Sequence, residues 1–130
     1  MACLETTFLV DLLRGKSEVR EIMEELDEHE EILAVTTPSI MELWLGACIA
    51  DASKNEKDKI NELLKSLEIL PLDEESAKEA GEIEAELTRK RQTIETEDIM
   101  IAAIAKVNGE KIVTRDNHYT RINGLKVLKY

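Results

Sequence analysis

Hydrophobic and polar positions along the chain switch repeatedly between the two-residue period of a strand and the 3.6-residue period of a helix. Ala2-Cys3-Leu4 reads as a short strand. Residues 8–13 carry a helical stripe that stops near Gly15, since glycine after a basic residue commonly ends a helix. Ser17 is placed to cap a second helix with Val19, Ile22, Met23 and Leu26 on one face. Residues 32–36 alternate and are β-branched, as suits a strand. Pro38 opens a third helix, where its missing N–H costs nothing. Ile40, Leu43, Trp44 and Ala47 share one stripe of that helix, with Glu42 beside it.

A charged helix follows over residues 55–67, with Ile60, Leu63, Leu64 and Leu67 inward, and then a short strand at residues 69–72. Asp73 caps a long helix reaching Arg89. Thr96 caps another, whose block 99–105 is almost wholly apolar and so expected to be buried on most sides. Strands at residues 111–114, after the Asn108-Gly109 turn, and at 127–128 complete the series. This alternation predicts an α/β domain: a mostly parallel central β-sheet with helices on both faces. With no repeat and no linker, residues 1–130 read as one domain.

Composition narrows the function classes. The 130 residues carry a formal net charge of −11, from 28 acids and 17 bases. A chain this long buries roughly two-thirds of its unfolded surface, enough for a core without disulfides or structural metal. No apolar stretch approaches the about 20 residues of a membrane span, and the start lacks a signal peptide's basic and apolar blocks. The expectation is a cytoplasmic protein without a membrane role. The acidic excess argues against gripping nucleic acid by bulk charge. Four aromatics, Phe8, Trp44, Tyr119 and Tyr130, are too few for a base-stacking sheet. Cys3 and Cys48 make no Cys-x-x-Cys pair and no zinc set with His29 or His118. Both cysteines read as reduced, buried packing residues. The histidines read as surface or turn residues, and Asp11 as a helix-surface acid. Trp44, Met23, Met41 and Met100 read as core or interface.

Four acids stand out by position. Sites in parallel α/β sheets form beyond the carboxyl ends of the strands. Glu5 directly follows the first strand, and Asp116 follows Val113-Thr114-Arg115 at the end of another. Asp98 lies in the first turn of its helix, where the dipole favours an ionised carboxylate. Glu42 lies in the second turn of the helix that Pro38 opens. Taken singly, each also fits an ordinary helix-end, turn or strand-end charge. Together they would repel: two unit charges 4 Å apart cost about 4 kcal/mol at an effective dielectric near 20. A divalent ion relieves that repulsion, and carboxylate oxygens suit Mg²⁺ or Mn²⁺. The chemistry that needs such a set is phosphodiester hydrolysis.

Four segments carry a resemblance. The opening Cys3-Leu4-Glu5-Thr6-Thr7-Phe8-Leu9-Val10-Asp11-Leu12-Leu13-Arg14-Gly15 resembles that of PIN-domain ribonucleases, in particular the toxin subunits of VapBC type II toxin–antitoxin modules. Thr37-Pro38-Ser39-Ile40-Met41-Glu42-Leu43-Trp44-Leu45-Gly46-Ala47 is similar to their second acidic segment. Ile94-Glu95-Thr96-Glu97-Asp98-Ile99-Met100-Ile101-Ala102-Ala103 resembles the third. Ile112-Val113-Thr114-Arg115-Asp116-Asn117, then Ile122-Asn123-Gly124-Leu125, resembles the closing one. The segments stand in family order and span nearly the whole chain.

The resemblance implies a PIN-like three-layer fold and Mg²⁺- or Mn²⁺-dependent endonucleolytic cleavage of RNA. It assigns metal binding and catalysis to Glu5, Glu42, Asp98 and Asp116, with Thr6 and Thr114 as supporting hydroxyls. It also implies a homodimer and an antitoxin protein that lays a helix and a tail over the groove. Arg115, Arg91 and Arg14 are candidate contacts to the RNA backbone. Two positions depart from the family pattern. Glu5 stands where Asp is usual; the extra methylene moves the carboxylate by roughly 1 Å, a displacement that can cost about 10²-fold in rate. Arg91-Gln92 stands where a glycine often precedes the third acidic segment. The alternatives are a degenerate PIN domain that binds protein or RNA without cutting, and a phosphoaspartate receiver-like domain. The receiver lacks a strand-end lysine here, and the absence of Gly-x-Gly-x-x-Gly disfavours a dinucleotide fold.

Overall fold

A computed structural model describes residues 1–130. The elements run β1 (Ala2–Leu4), α1 (Thr6–Leu13), α2 (Ser17–Glu28), β2 (Leu33–Thr36), α3 (Thr37–Ile49), α4 (Ser53–Leu64), β3 (Glu68–Leu70), α5 (Glu74–Arg89), α6 (Thr96–Val107), β4 (Lys111–Thr114) and β5 (Val127–Lys129). A 3₁₀ helix over Asn117–Arg121, not anticipated from the sequence, links β4 towards β5. The five strands form one sheet in the order β3-β2-β1-β4-β5. Every pairing is parallel, so the mostly parallel sheet of the sequence reading is wholly so. No helix is long and apolar enough to cross a membrane.

Side chains alternate across the sheet, so neighbours in a strand serve opposite faces. Val113 joins Leu4, Phe8, Leu9, Val35 and Leu43 in a core under the first four helices. Ile112, its neighbour, joins Ile83, Leu87, Ile101 and Ala102 in a second core under α5 and α6. The expected apolar block of α6 is buried throughout, from Ile101 to Ala105. Cys3 is fully buried, and burial, reinforced by Glu110 and Glu5, pushes its thiol up to about 12. It is therefore protonated and inert. Cys48, expected to be buried, is exposed instead, because it falls on the solvent side of α3 beside Ile49.

Four helices end alike. After α1 the Gly15 N–H donates to Leu12 and the Lys16 N–H to Asp11; after α6 Gly109 and Glu110 repeat the pair of bonds. This closure needs a left-handed residue, and Gly15 (φ +72°) and Gly109 (φ +68°) supply it. After α2 and α5 the same position is taken by Glu30 (φ +53°) and Arg91 (φ +57°). The glycine usual near Arg91 in the resembled family thus has a steric reason: an L side chain there is strained. The closure of α1 also corrects the capping of α2. Lys16 is held by its bond to Asp11 as the extended residue before α2, so Ser17 falls one position late and makes no cap. Thr96 likewise lies inside α6, behind Glu95. Asp73 caps α5 as expected, in a reciprocal pair of bonds with Ser76.

Asp11 is not a surface acid: it is 1 % exposed. It lies on the inner side of α1, where three elements meet. Tyr130 donates to its Oδ2 at 3.0 Å, Arg115 Nη1 sits 3.4 Å from the same oxygen, and Lys16 Nζ sits 3.0 Å from Oδ1. Burial raises its pKa, but Lys16, Tyr130 and Arg115 together outweigh that and hold it below the usual carboxylate range.

Two outcomes are expected. Arg91→Gly relieves about 1–2 kcal/mol of left-handed strain against about 0.5–1 kcal/mol of added chain entropy. It should stabilise the protein by roughly 0.5–1 kcal/mol in urea unfolding. Asp11→Asn should lose about 1–2 kcal/mol at neutral pH, the worth of charge-assisted bonds. Because the folded pKa is depressed, this contribution exists above the unfolded value of about 3.9. It disappears as pH falls through the folded one. The gap between the two urea midpoints should therefore close in acid; a gap that stays constant would contradict the charge argument.

Candidate metal centre

The strand order reverses on either side of β1, and the crevice at such a switch point is where α/β sheets bind ligands. Register places the acids there. Leu4 lies opposite Val113, and the Glu5 N–H donates to the Val113 carbonyl, so Glu5 and Thr114 emerge side by side from β1 and β4.

Glu5 is both strand end and N-cap of α1, and it is 2 % exposed. Its Oε2 accepts from the Thr7 N–H at 3.0 Å, the Thr7 hydroxyl at 2.5 Å and the Thr114 hydroxyl at 2.9 Å. Its Oε1 has one long partner, the Tyr119 hydroxyl at 3.4 Å. Burial pushes the Glu5 carboxyl above the usual range; the Thr7 and Thr114 donors oppose it, and Asp116 adds to it.

Tyr119 joins two of the acids, since its hydroxyl is also 3.1 Å from Asp98 Oδ1. It is fully buried. Burial, then the Glu5 and Asp98 charges, raises its pKa far above the ordinary phenol, so it remains a donor. Asp98 occupies the first turn of α6. Burial, Glu5 and Asp116 push its carboxyl up, against the Tyr119 hydrogen bond and His118. Asp116 caps the 3₁₀ helix: its N–H donates to Thr114 Oγ1 at 3.0 Å, and its Oδ1 accepts from the His118 N–H at 2.9 Å. Glu42 is half-buried on α3, and Thr6 Oγ1 donates to its Oε1 at 2.8 Å. Burial raises its pKa, with Asp98 and Glu97 contributing.

Of the four acids chosen from the sequence, Glu5 and Asp98 are joined through Tyr119 and Asp98 lies near Asp116, while Glu42 is tied to Thr6 and lines the groove between α1, α3 and α4. Their spacing is uneven. Ligand atoms of Asp98, Asp116 and His118 lie within 4.8 Å of one another, while Glu5 and Glu42 stand outside that spacing. Three contributors escaped the sequence reading. Tyr119 and Thr7 act through hydrogen bonds that no local motif announces. His118, read as a surface or turn residue, sits beside Asp116. Of the basic residues, Arg115 turns to Asp11, Arg14 lines a groove between α1, α3 and α4, and Arg91 closes α5.

A wholly parallel sheet with acids near its switch point, two of them and a histidine within 4.8 Å of one another, defines an α/β protein with an acidic cluster where such sheets bind ligands. A family model described as PIN domain matches residues 2–125, and the chain belongs to that family. It is 28 % identical over 125 residues to a tRNA(fMet)-specific endonuclease VapC of Salmonella typhimurium, covering 95 % of this chain and 93 % of that one. A protein of the same name from Shigella flexneri is 26 % identical, covering 95 % and 92 %. Among solved structures, the fold matches DNA-bound VapBC of Salmonella typhimurium with a TM-score of 0.89 at 25 % identity, covering 98 % of this chain and 96 % of that one. It matches VapBC2 of Rickettsia felis, bound to a promoter DNA fragment, at 0.92 and 22 %, covering 99 % and 98 %.

The raised pKa of Asp98 gives a prediction for the metal-free protein. An acid whose folded pKa lies above its unfolded value of about 3.9 costs stability as pH rises past that value. Asp98→Asn should therefore raise the Tm of the metal-free protein at neutral pH by a few degrees, with the advantage fading in acid. A lowered neutral Tm would mean that the acid is better satisfied than its neighbours suggest.

Proposed function

We propose that this chain is a divalent-metal-dependent endoribonuclease, folded as one PIN domain, acting in the cytosol as the toxin of a type II toxin–antitoxin pair. The observation that carries this reading is the bridge from Glu5 through Tyr119 to Asp98, with Asp98 and Asp116 at one-cation spacing; Glu42 is assigned to the same site. The donor set fits Mg²⁺ or Mn²⁺, which take oxygen ligands. When bound, the ion lowers the pKa of a coordinated water and screens charge on the phosphate.

The chain's own groups do the rest. Asp98 and Asp116 supply ligand oxygens. Glu5 Oε1, with only one long protein partner, keeps acceptor capacity towards the same crevice. Glu42, held by Thr6, is placed to take the proton of the attacking water. Thr114 orders both Glu5 and the Asp116 backbone. Arg14, in the groove that opens beside Glu42, is the basic residue best placed for a backbone phosphate, a contact that positions RNA without reading its sequence, whereas Arg115 is paired with Asp11 and Arg91 closes α5. RNA as substrate follows from the likeness to the tRNA-specific relatives.

The groove of about 600 Å³ that Arg14 lines is walled by Val10, Leu13, Leu43 and Ile60 and opens beside Glu42. It is the proposed seat of an antitoxin segment. The exposed stripe Met41, Leu45 and Ile49 on α3 supports a homodimer. One observation favours a second reading, a PIN domain that binds without cutting: the four protein donors already on Glu5 compete with a metal for its carboxylate.

The test is cleavage of a mixed RNA pool with Mn²⁺ and with EDTA. The expected result is chelator-sensitive cutting that falls by more than about a hundredfold in Asp98→Asn, beyond the usual effect of altering a supporting residue. Cutting by Glu5→Asp alone would mean a nuclease disabled at one ligand. Silence from folded wild type, Glu5→Asp and Asp98→Asn would establish the binding-only reading.

A further inference from the structure

Resting on the metal-centre reading above, we infer that His118 is a nitrogen ligand of the cation and biases the site from Mg²⁺ towards Mn²⁺ and later divalent transition metals. Its Nδ1 lies 3.0 Å from Asp116 Oδ1, and Asp98 completes a triad whose ligand atoms all lie within 4.8 Å. Ligands about 2.1 Å from a six-coordinate ion stand about 3 Å apart when adjacent. The observed N···O separation of 3.0 Å matches that spacing, so an ion replaces the His118–Asp116 ion pair with only a turn of the two side chains.

The backbone that carries the ring is held in place. Asp116 is fixed by its N–H bond to Thr114, and the His118 N–H is bonded back to Asp116 Oδ1. The next residue, Tyr119, is fully buried and tied to Asp98. Residue 118 is thus bracketed by bonds to both acids, inside a short 3₁₀ helix that allows its backbone little play. A histidine on an open surface has no such anchoring. The ring remains 46 % exposed, so its other edge faces solvent.

The chemistry of the donor decides the metal. Mg²⁺ prefers oxygen and keeps its waters, whereas imidazole suits transition ions, whose affinities rise along the series from Mn²⁺. Three acids at this spacing would discriminate weakly between Mg²⁺ and Mn²⁺. Replacing one oxygen by an imidazole nitrogen favours Mn²⁺. His118 in this role touches the ion itself, while Tyr119 and Thr114 act through other residues.

Mn²⁺ binding to the full chain, followed by electron paramagnetic resonance, tests the inference without any cleavage assay. The wild type should show ¹⁴N modulation from a coordinated imidazole in the spin-echo signal. His118→Gln, checked for folding by circular dichroism, should lose that modulation. It should also bind Mn²⁺ at least about tenfold more weakly, with Mg²⁺ competition little changed. Bound Mn²⁺ without ¹⁴N coupling, and with equal affinity in His118→Gln, would overturn the role of His118 and leave the nuclease reading standing. No Mn²⁺ binding by the wild type would overturn both.

Discussion

Parallel pairing of β1 with β4 places Glu5 beside Thr114, and the rest of the site is built around that juxtaposition. The sheet order changes direction at β1, so the loops leaving β1 and β4 part and open a crevice. A carboxylate at the floor of that crevice is nearly removed from water. It persists because Thr7, Thr114 and Tyr119 replace the lost solvent with fixed donors. Those donors orient one oxygen of Glu5 firmly and the other loosely.

The remaining acids are raised in energy by the same crowding. Glu42 and Asp98 are both pushed up by burial, and their neighbours' charges add to it. Crowding of this kind costs stability, which acids at such spacing recover only when their charge is neutralised. The apolar packing that offsets it is distributed on both faces of the sheet. Phe8, Leu9 and Val113 lie on one side, with Ile101, Ala102 and Ile112 on the other. Asp11 extends the arrangement beyond the crevice, tying α1 to Arg115, the residue before Asp116, and to Tyr130 at the end of the chain.

The likeness to VapC proteins and VapBC structures covers nearly the whole chain, so the acidic cluster and the groove sit on a shared fold. Three residues of this chain bear on the cluster and its surroundings. Glu5 stands at a position where the resembled pattern has Asp, and it reaches far enough to meet Tyr119. Arg91 takes a left-handed conformation that glycine adopts more easily. His118 brings a nitrogen to a cluster otherwise made of oxygen.

The sequence by itself determined the elements and where along them the four candidate acids stand. Helical and strand periods are local properties of the chain, so the five strands and six helices fall close to where the pattern puts them. Glu5, Glu42, Asp98 and Asp116 were legible because each sits at a strand end or in the opening turns of a helix. Capping went astray at Ser17 and Thr96, where a helix closure or a neighbouring residue fixes the boundary by one position. Only the tertiary structure decided which face each side chain meets. It buried Asp11, exposed Cys48, and brought Tyr119 between Glu5 and Asp98. It also set His118 against Asp116, through a 3₁₀ turn that leaves no periodic trace. The physical reason is range. Periodicity is written into consecutive residues, whereas these contacts join positions that meet only once the strands have paired.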